Sequence, residues 1–216
     1  TEQDKVCNPC PLYHCAGSVV NGLTAIVRGA ALVLPSAQFD ARAVLQAIHE
    51  ERATVLGGVP TMYIAQLEHP EFGNFDVRSV RIAWMSGAPC PLELLRRVKD
   101  HMHMERLIVL YGQTESSPVI TMSRPEDSFE QCAGNVGCAM PNTEVKIVSP
   151  SGETVPRNEA GELCTRGYLV MAGYDDEPEA TKAAVNAEGW LHTGDIASLD
   201  AEGRFHITGR AKDMII

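Results

Sequence analysis

The chain has 216 residues, 44% apolar and 21% charged, the balance of a globular protein with a substantial core in one large domain or two small ones. Its 28 acidic against 18 basic residues, a net charge of −10, argue against non-specific binding to nucleic acid or to an anionic membrane, both of which rely on Lys and Arg. No apolar run approaches the ~18 residues of a membrane-spanning helix.

The opening residues, TEQDKVCNPCPLYH, carry no signal-peptide pattern. Cys7-x-x-Cys10, with Cys15 nearby, lacks the second Cys or His pair that a tetrahedral metal site requires, so free thiols are expected. The cysteine count of seven is odd and irregularly spread, which fits a reducing, cytoplasmic setting better than a disulfide scaffold. After His14, Val19, Val20 and Leu23 form an apolar face expected to pack in the core. Ala31 to Pro35 reads as a short buried strand. Asp40 is placed to cap a helix whose apolar residues Ala41, Val44, Leu45 and Ile48 recur at helical spacing. Thr54 to Leu56 reads as a strand ended by Gly57-Gly58, and Pro60 as a helix start. The unit then repeats. Val80 to Met85 is a strand followed by the turn SGAPCP. Pro91 opens a helix with Leu92, Leu95, Val98 and Met102 on one face, and Leu107 to Leu110 is the next strand. Strand, turn and helix at these lengths predict a mostly parallel sheet with crossover helices.

After Pro118 the character changes. Glu144 to Val148, Gly161 to Arg166 and Arg204 to Thr208 read as strands, with a hairpin turn at Asp200 to Gly203 and a short helix near Glu179 to Val185. The expected fold is therefore α/β, a parallel-sheet subdomain over 1–118 followed by a small β-rich, barrel-like subdomain over 119–208. Residues 209–216 end on Asp213-Met214-Ile215-Ile216, an apolar run that suggests a piece of a longer protein.

Several short stretches concentrate chemistry. Tyr111-Gly112-Gln113-Thr114-Glu115 leaves a strand with a phenol, a glycine, an amide, a hydroxyl and a carboxylate together. WLHTGD follows at 190–195 and GRAKDMI at 209–215, with PLYH at 11–14 and SGAP at 86–89 before them. In this order they resemble the adenylate-forming superfamily of acyl-CoA synthetases, aryl-CoA ligases, luciferases and peptide-synthetase adenylation domains. YGQTESSPVITMS and GELCTRGYLVMAGY look most like its fatty acyl-CoA synthetase branch. That resemblance implies a ligase using ATP, Mg2+ and CoA as co-substrate, which converts a small carboxylic acid, here a fatty acid, first to an acyl-adenylate and then to a thioester.

It also implies roles. Glu115 is similar to the family's Mg2+-binding glutamate, a carboxylate oxygen suiting a hard cation. Thr114 would donate to the α-phosphate, Gly112 would let the backbone approach the ligand, and Tyr111 would lie against adenine. Asp195 resembles the residue that accepts both ribose hydroxyls, and Arg210 the arginine reaching the ribose and phosphate side; Ile207 would pack on the nucleotide. Gly87, Ala88 and Pro89 match the adenine wall, with Ser86 where the family often has a second glycine. His14 and Ser86 would border the acyl pocket, and Lys212 falls at the interdomain hinge. Each has a plainer reading: a polar turn for 111–115, a turn aspartate for Asp195, a surface charge for Arg210, an inward strand residue for Ile207, a structural histidine for His14.

The family's Gly/Ser/Thr-rich phosphate loop and its C-terminal lysine are not in this stretch, so the segment alone is expected to be inactive, and its unpaired sheet edges leave a homo-oligomer open. Two alternatives remain. One is an adenylation domain that loads a carrier protein with an aryl or amino acid, although an amino acid would want an acidic residue near His14 or Ser86. The other is a non-catalytic nucleotide-binding module, which gives no reason to keep Thr114, Glu115, Asp195 and Arg210 together.

Overall fold

The computed structural model describes residues 1–104, 106–124 and 126–211. It divides into two compact units, Thr1–Val109 with Pro125–Gly134, and Leu110–Arg124 with Asn135–Ile216.

The first unit is a parallel sheet with crossover helices. Its strands are β1 (Lys5–Cys7), β2 (Ala31–Val33), β3 (Val55–Gly58), β4 (Ile82–Met85) and β5 (Arg106–Tyr111), in the order β2-β1-β3-β4-β5. All these pairs are parallel, as crossover connections demand. A π-helical segment, Ala16–Leu23, runs into α1 (Thr24–Arg28); α2 (Ala41–Glu51), α3 (Pro60–Leu67), α4 (Leu92–Met102) and α5 (Phe129–Cys132) follow. Local chemistry sets these boundaries. Asp40 accepts from Ala43 N at 2.7 Å at the α2 N-terminus, and Val44, Leu45 and Ile48 are fully buried. Pro60 sits in the first turn of α3. The buried stripe of α4 is Leu94, Leu95, Val98 and Met102 rather than one beginning at Leu92.

Three expectations are corrected here. β2 is not a buried strand: it has β1 as its neighbour at the sheet edge, Ala31 is exposed, and Leu34 beyond it is 53% exposed. Gly57 and Gly58 do not stop the strand after Leu56 but are the last two residues of β3. Gly57 pairs with Trp84 on β4, and a Cβ there would stand 2.0 Å from the indole, so the ring occupies the space glycine leaves. The segment after His14 does not bury its apolar face. Of the expected face Val19 and Val20 are half-buried and Leu23 is exposed, whereas Gly17, Asn21, Gly22 and Ala25 are buried. The inward amides are hydrogen-bonded, which makes their burial tolerable: Asn21 Nδ2 donates to Asn8 Oδ1 at 2.8 Å, and Trp84 Nε1 donates to Asn21 Oδ1 at 2.9 Å. Cys7 and Cys10 are buried free thiols.

In the second unit, Leu110 and Tyr111 at the end of β5 pair antiparallel with β6 (Thr121–Met122), which pairs with β7 (Cys138–Ala139). A four-stranded antiparallel sheet has the order β11-β10-β9-β8, with β8 (Thr143–Val148), β9 (Gly161–Gly167), β10 (Leu191–Leu199) and β11 (Phe205–Arg210). The helix α6 (Pro178–Ala184) precedes β10. Side chains alternate across this sheet. Ile147, Leu163, Ala197 and Phe205 join Ile120 and Leu169 in one core, while Val148 and Cys164 pack with Trp190 in another. Lys146 Nζ lies 4.1 Å from the Trp190 ring centroid. The hairpin turn at Asp200–Gly203 forms as expected, Asp200 N donating to Arg204 O at 3.0 Å. The strand β10 was not anticipated, because its His-Thr-Gly-Asp run has poor strand propensity and no clean alternation.

Candidate active site

The irregularity in β10 builds the most distinctive group of side chains in the second unit. His192 pairs with Cys164 and Ile196 with Glu162, so Thr193, Gly194 and Asp195 together oppose Leu163 alone. This is a β-bulge, and its backbone donors lose their ladder partners. Side chains replace them. Gly194 N donates to Glu162 Oε1 at 3.0 Å, and Asp195 N to Thr193 Oγ1 at 3.1 Å. Thr193 Oγ1 in turn donates to Leu163 O at 2.7 Å. Gly194 takes a left-handed φ of 72°, natural for glycine.

The bulge directs Asp195 inward, where it is 6% exposed. Tyr111 donates its hydroxyl to Asp195 Oδ2 at 2.7 Å, and Arg210, its register partner on β11, donates Nε to Oδ1 at 2.9 Å. Burial raises the Tyr111 pKa above the ordinary phenol value, and the neighbouring Asp195 carboxylate adds to the shift. Ile207 packs at the edge of the adjoining core, as does the Tyr111 ring.

The loop after Tyr111 is a tight, self-bonded turn. Thr114–Ser116 forms a short 3-10 helix capped by Gln113: Gln113 N donates to Ser116 Oγ at 3.0 Å, and Ser116 Oγ donates to Gln113 O at 2.8 Å. A Cβ at Gly112 would lie 1.8 Å from Pro118 O, so the loop itself accounts for this glycine. Thr114 is exposed. Glu115 accepts from the Tyr174 hydroxyl at 2.8 Å, and its carbonyl accepts from Met171 N at 2.9 Å. Tyr111, Asp195 and Arg210 therefore form one bonded group, with Glu115 and Tyr174 a second. Sequence reasoning gave no role to Glu162, Thr193 and Tyr174, although GELCTRGYLVMAGY contains the first and last and WLHTGD contains Thr193.

The remaining candidates lie in the first unit. Ser86 follows β4 and donates its N–H to Gly58 O at 3.3 Å; Gly87 has a left-handed φ of 84°, and Ala88 and Pro89 are exposed. His14 is exposed, and its Nδ1 accepts from Ala16 N at 3.0 Å, which is a turn role. Lys212 lies outside the described residues.

Comparison with known proteins defines the class. A model of the AMP-binding enzyme family matches residues 1–175. The chain is 48% identical over 217 residues to a putative acyl-CoA synthetase, YngI, of Bacillus subtilis, covering 100% of the chain and 39% of that protein. It is 46% identical over 216 residues to the mitochondrial medium-chain acyl-CoA ligase ACSF2 of Rattus norvegicus, covering 100% of the chain and 35% of that protein. Among solved structures, ATP-bound MatB from Rhodopseudomonas palustris superposes with a TM-score of 0.88 at 28% identity, covering 100% of this chain and 42% of its own. The anthranilate CoA ligase AuaEII with anthranoyl-AMP gives 0.91 at 27% identity, covering 100% of this chain and 41% of its own. The fold is thus that of adenylate-forming enzymes. The chain belongs to the AMP-binding enzyme family, and it spans 39% and 35% of the two curated relatives just named.

Proposed function

We propose that this chain is part of an AMP-forming acid–CoA ligase for aliphatic carboxylic acids of medium or greater length, and that Asp195 receives the ribose of ATP. One observation carries the reading: a buried carboxylate fixed from two sides, by Tyr111 on Oδ2 and Arg210 on Oδ1. Each carboxylate oxygen offers about two lone pairs. One on each is used here, so one on each remains, matching the two donors of a vicinal diol. Such a diol fits the donor set better than a cation does, since Arg210 already balances the charge.

In the proposed reaction the acid's carboxylate oxygen attacks the α-phosphorus of ATP and pyrophosphate leaves; the CoA sulfur then attacks the acyl carbon, and AMP leaves. Thr114 would donate to the α-phosphate as charge develops there. Glu115 would hold Mg2+, which neutralises phosphate charge when bound. The likeness to a medium-chain acyl-CoA ligase supports the aliphatic acid. An aryl acid is the second reading, supported by the likeness to an anthranilate ligase. A cytoplasmic setting belongs to the same proposal, supported by the odd and irregularly spread count of seven cysteines.

The test is pyrophosphate release by the full-length protein carrying this chain. The assay contains ATP, Mg2+ and acids from acetate to palmitate, with benzoate and anthranilate, each with and without CoA. Glu115→Gln and Asp195→Ala run alongside. Release with longer aliphatic acids, lost about tenfold or more in both variants, or about 1.4 kcal/mol, supports the reading. Release with aryl acids alone replaces the substrate class. No release with any acid overturns the ligase.

A further inference from the structure

The bulge in β10 depends on Glu162, a residue of the GELCTRGYLVMAGY stretch to which the resemblance assigns no role. From β9, Glu162 reaches across to β10 with both carboxylate oxygens. Oε1 accepts from Gly194 N at 3.0 Å, and Oε2 lies 2.8 Å from His192 Nδ1. The two contacts flank Thr193, and Gly194 is the residue before Asp195. Gly194 is tied on its other side as well, its carbonyl accepting from Ala211 N at 2.8 Å. Alternation puts the Glu162 side chain on the Cys164 face of the sheet, opposite the core that receives Asp195. Glu162 therefore lies on the face away from Asp195, yet it supplies an acceptor for Gly194 in the bulge.

The geometry points to Glu162 as a positioning residue for Asp195: it clamps the Thr193–Asp195 bulge from behind and so sets the carboxylate that would receive the ribose. This rests on the ribose reading of Asp195 proposed above. Glu162, Cys164 and His192 also have ligand atoms within 4.8 Å of one another, close enough for one ion. Their bonding favours the clamp, since both Glu162 oxygens already face donors. Burial, and then the Glu162 charge, pushes the Cys164 thiol up to about 12, away from the thiolate a metal takes.

The test uses the full-length protein and compares ATP with 2′-deoxy-ATP and 3′-deoxy-ATP in pyrophosphate release, with KM and kcat separated. Glu162→Ala removes the acceptor, Glu162→Asp withdraws it by one methylene, and Glu162→Gln keeps an acceptor for Gly194 and a partner for His192. We expect Ala and Asp to raise the KM for ATP about tenfold or more and to bring the ATP/deoxy-ATP preference toward one, with Gln recovering most of the loss. A residue that only stabilises the sheet would lower the yield of folded protein and leave KM and preference unchanged in what folds; that result overturns the proposal. Failure of both Ala and Asp to fold overturns it too, because the residue is then structural. Asp195→Ala separates the two readings. If it abolishes the preference while Glu162 variants do not, only the clamp falls. If Asp195→Ala keeps the preference, the ribose reading itself falls.

Discussion

Tyr111 donates its hydroxyl to Asp195 Oδ2 at 2.7 Å although 84 positions of chain separate them. The bond joins the first motif of the second unit to its last strands, and it holds a carboxylate that is 6% exposed. Hydrogen bonds to charged groups contribute about 1.5–3 kcal/mol, and a buried acceptor left without its donor loses most of that. Tyr111→Phe should therefore lower stability by about 1–3 kcal/mol in denaturant titrations. Arg210 remains on Oδ1, which keeps the loss from being larger. An unchanged midpoint would mean that the bond does not form in solution.

The same phenol gives a pH dependence of known sign. Burial, and then the Asp195 carboxylate, lifts the Tyr111 pKa above its ordinary value, near 10 in an unfolded chain. Its contribution is fully present below that value and is lost as pH rises toward the higher folded one. The stability difference between wild type and Tyr111→Phe should be flat from neutral pH to about 10 and shrink above it. Tyr63, also buried and also raised, is present in both proteins and cancels. A difference that grows with pH would reverse the assignment.

Tyr174 has the corresponding position beside Glu115, donating at 2.8 Å to Oε1. The Glu115 carboxylate raises the Tyr174 pKa in return. If Glu115 holds Mg2+, the phenol fixes which way the carboxylate faces. Tyr174→Phe should then raise the Mg2+ concentration for half-maximal pyrophosphate release several-fold while changing kcat at saturating metal little, on the order of twofold. Titration of Mg2+ in both proteins decides it; equal midpoints would remove Tyr174 from the metal site.

How much of this was legible in the sequence depended on locality. The Asp40 cap, the Pro60 helix start and the Asp200–Gly203 turn are local chemistry, and each formed where the residues predict. The motifs at 111–115 and 190–195 could be recognised, and the structure joins Tyr111 to Asp195. Burial after His14 could not be read, because a π-helical winding turns Gly17, Asn21 and Gly22 inward and Leu23 outward. Glu162 could not be read either. Its partners Gly194 and His192 come from another strand, and the bulge that needs it breaks the alternation that reveals strands.

Gly112 tests whether the loop's shape matters to its chemistry. A Cβ there would stand 1.8 Å from Pro118 O, a backbone atom that cannot swing aside like a side chain. Gly112→Ala should cost about 1–3 kcal/mol as overpacking does, and it should lower pyrophosphate release further by displacing Thr114 and Glu115. Gly73→Ala is the control, since nothing lies within 4 Å of a Cβ there; it should change stability by less than about 0.5 kcal/mol. Equal effects of the two substitutions would show that the Gly112–Pro118 contact relaxes freely.

The inverted face after His14 yields a prediction opposite to hydrophobicity. Asn21 is 1% exposed and accepts the Trp84 indole N–H at 2.9 Å, while Leu23 is 50% exposed. Asn21→Leu adds apolar surface yet leaves the Trp84 N–H buried without an acceptor, so it should destabilise the chain by about 1–3 kcal/mol. Asn8 Oδ1 loses the Asn21 donor but keeps Cys10 N at 3.1 Å, so most of the cost falls on the indole. Leu23→Ala removes apolar atoms that remain half in water and should cost well under the ~2–5 kcal/mol of a buried leucine. Denaturant titration of this chain with each substitution compares them directly. A larger loss from Leu23→Ala than from Asn21→Leu would put the leucine inside and the amide outside, and would overturn the winding described for Ala16–Leu23.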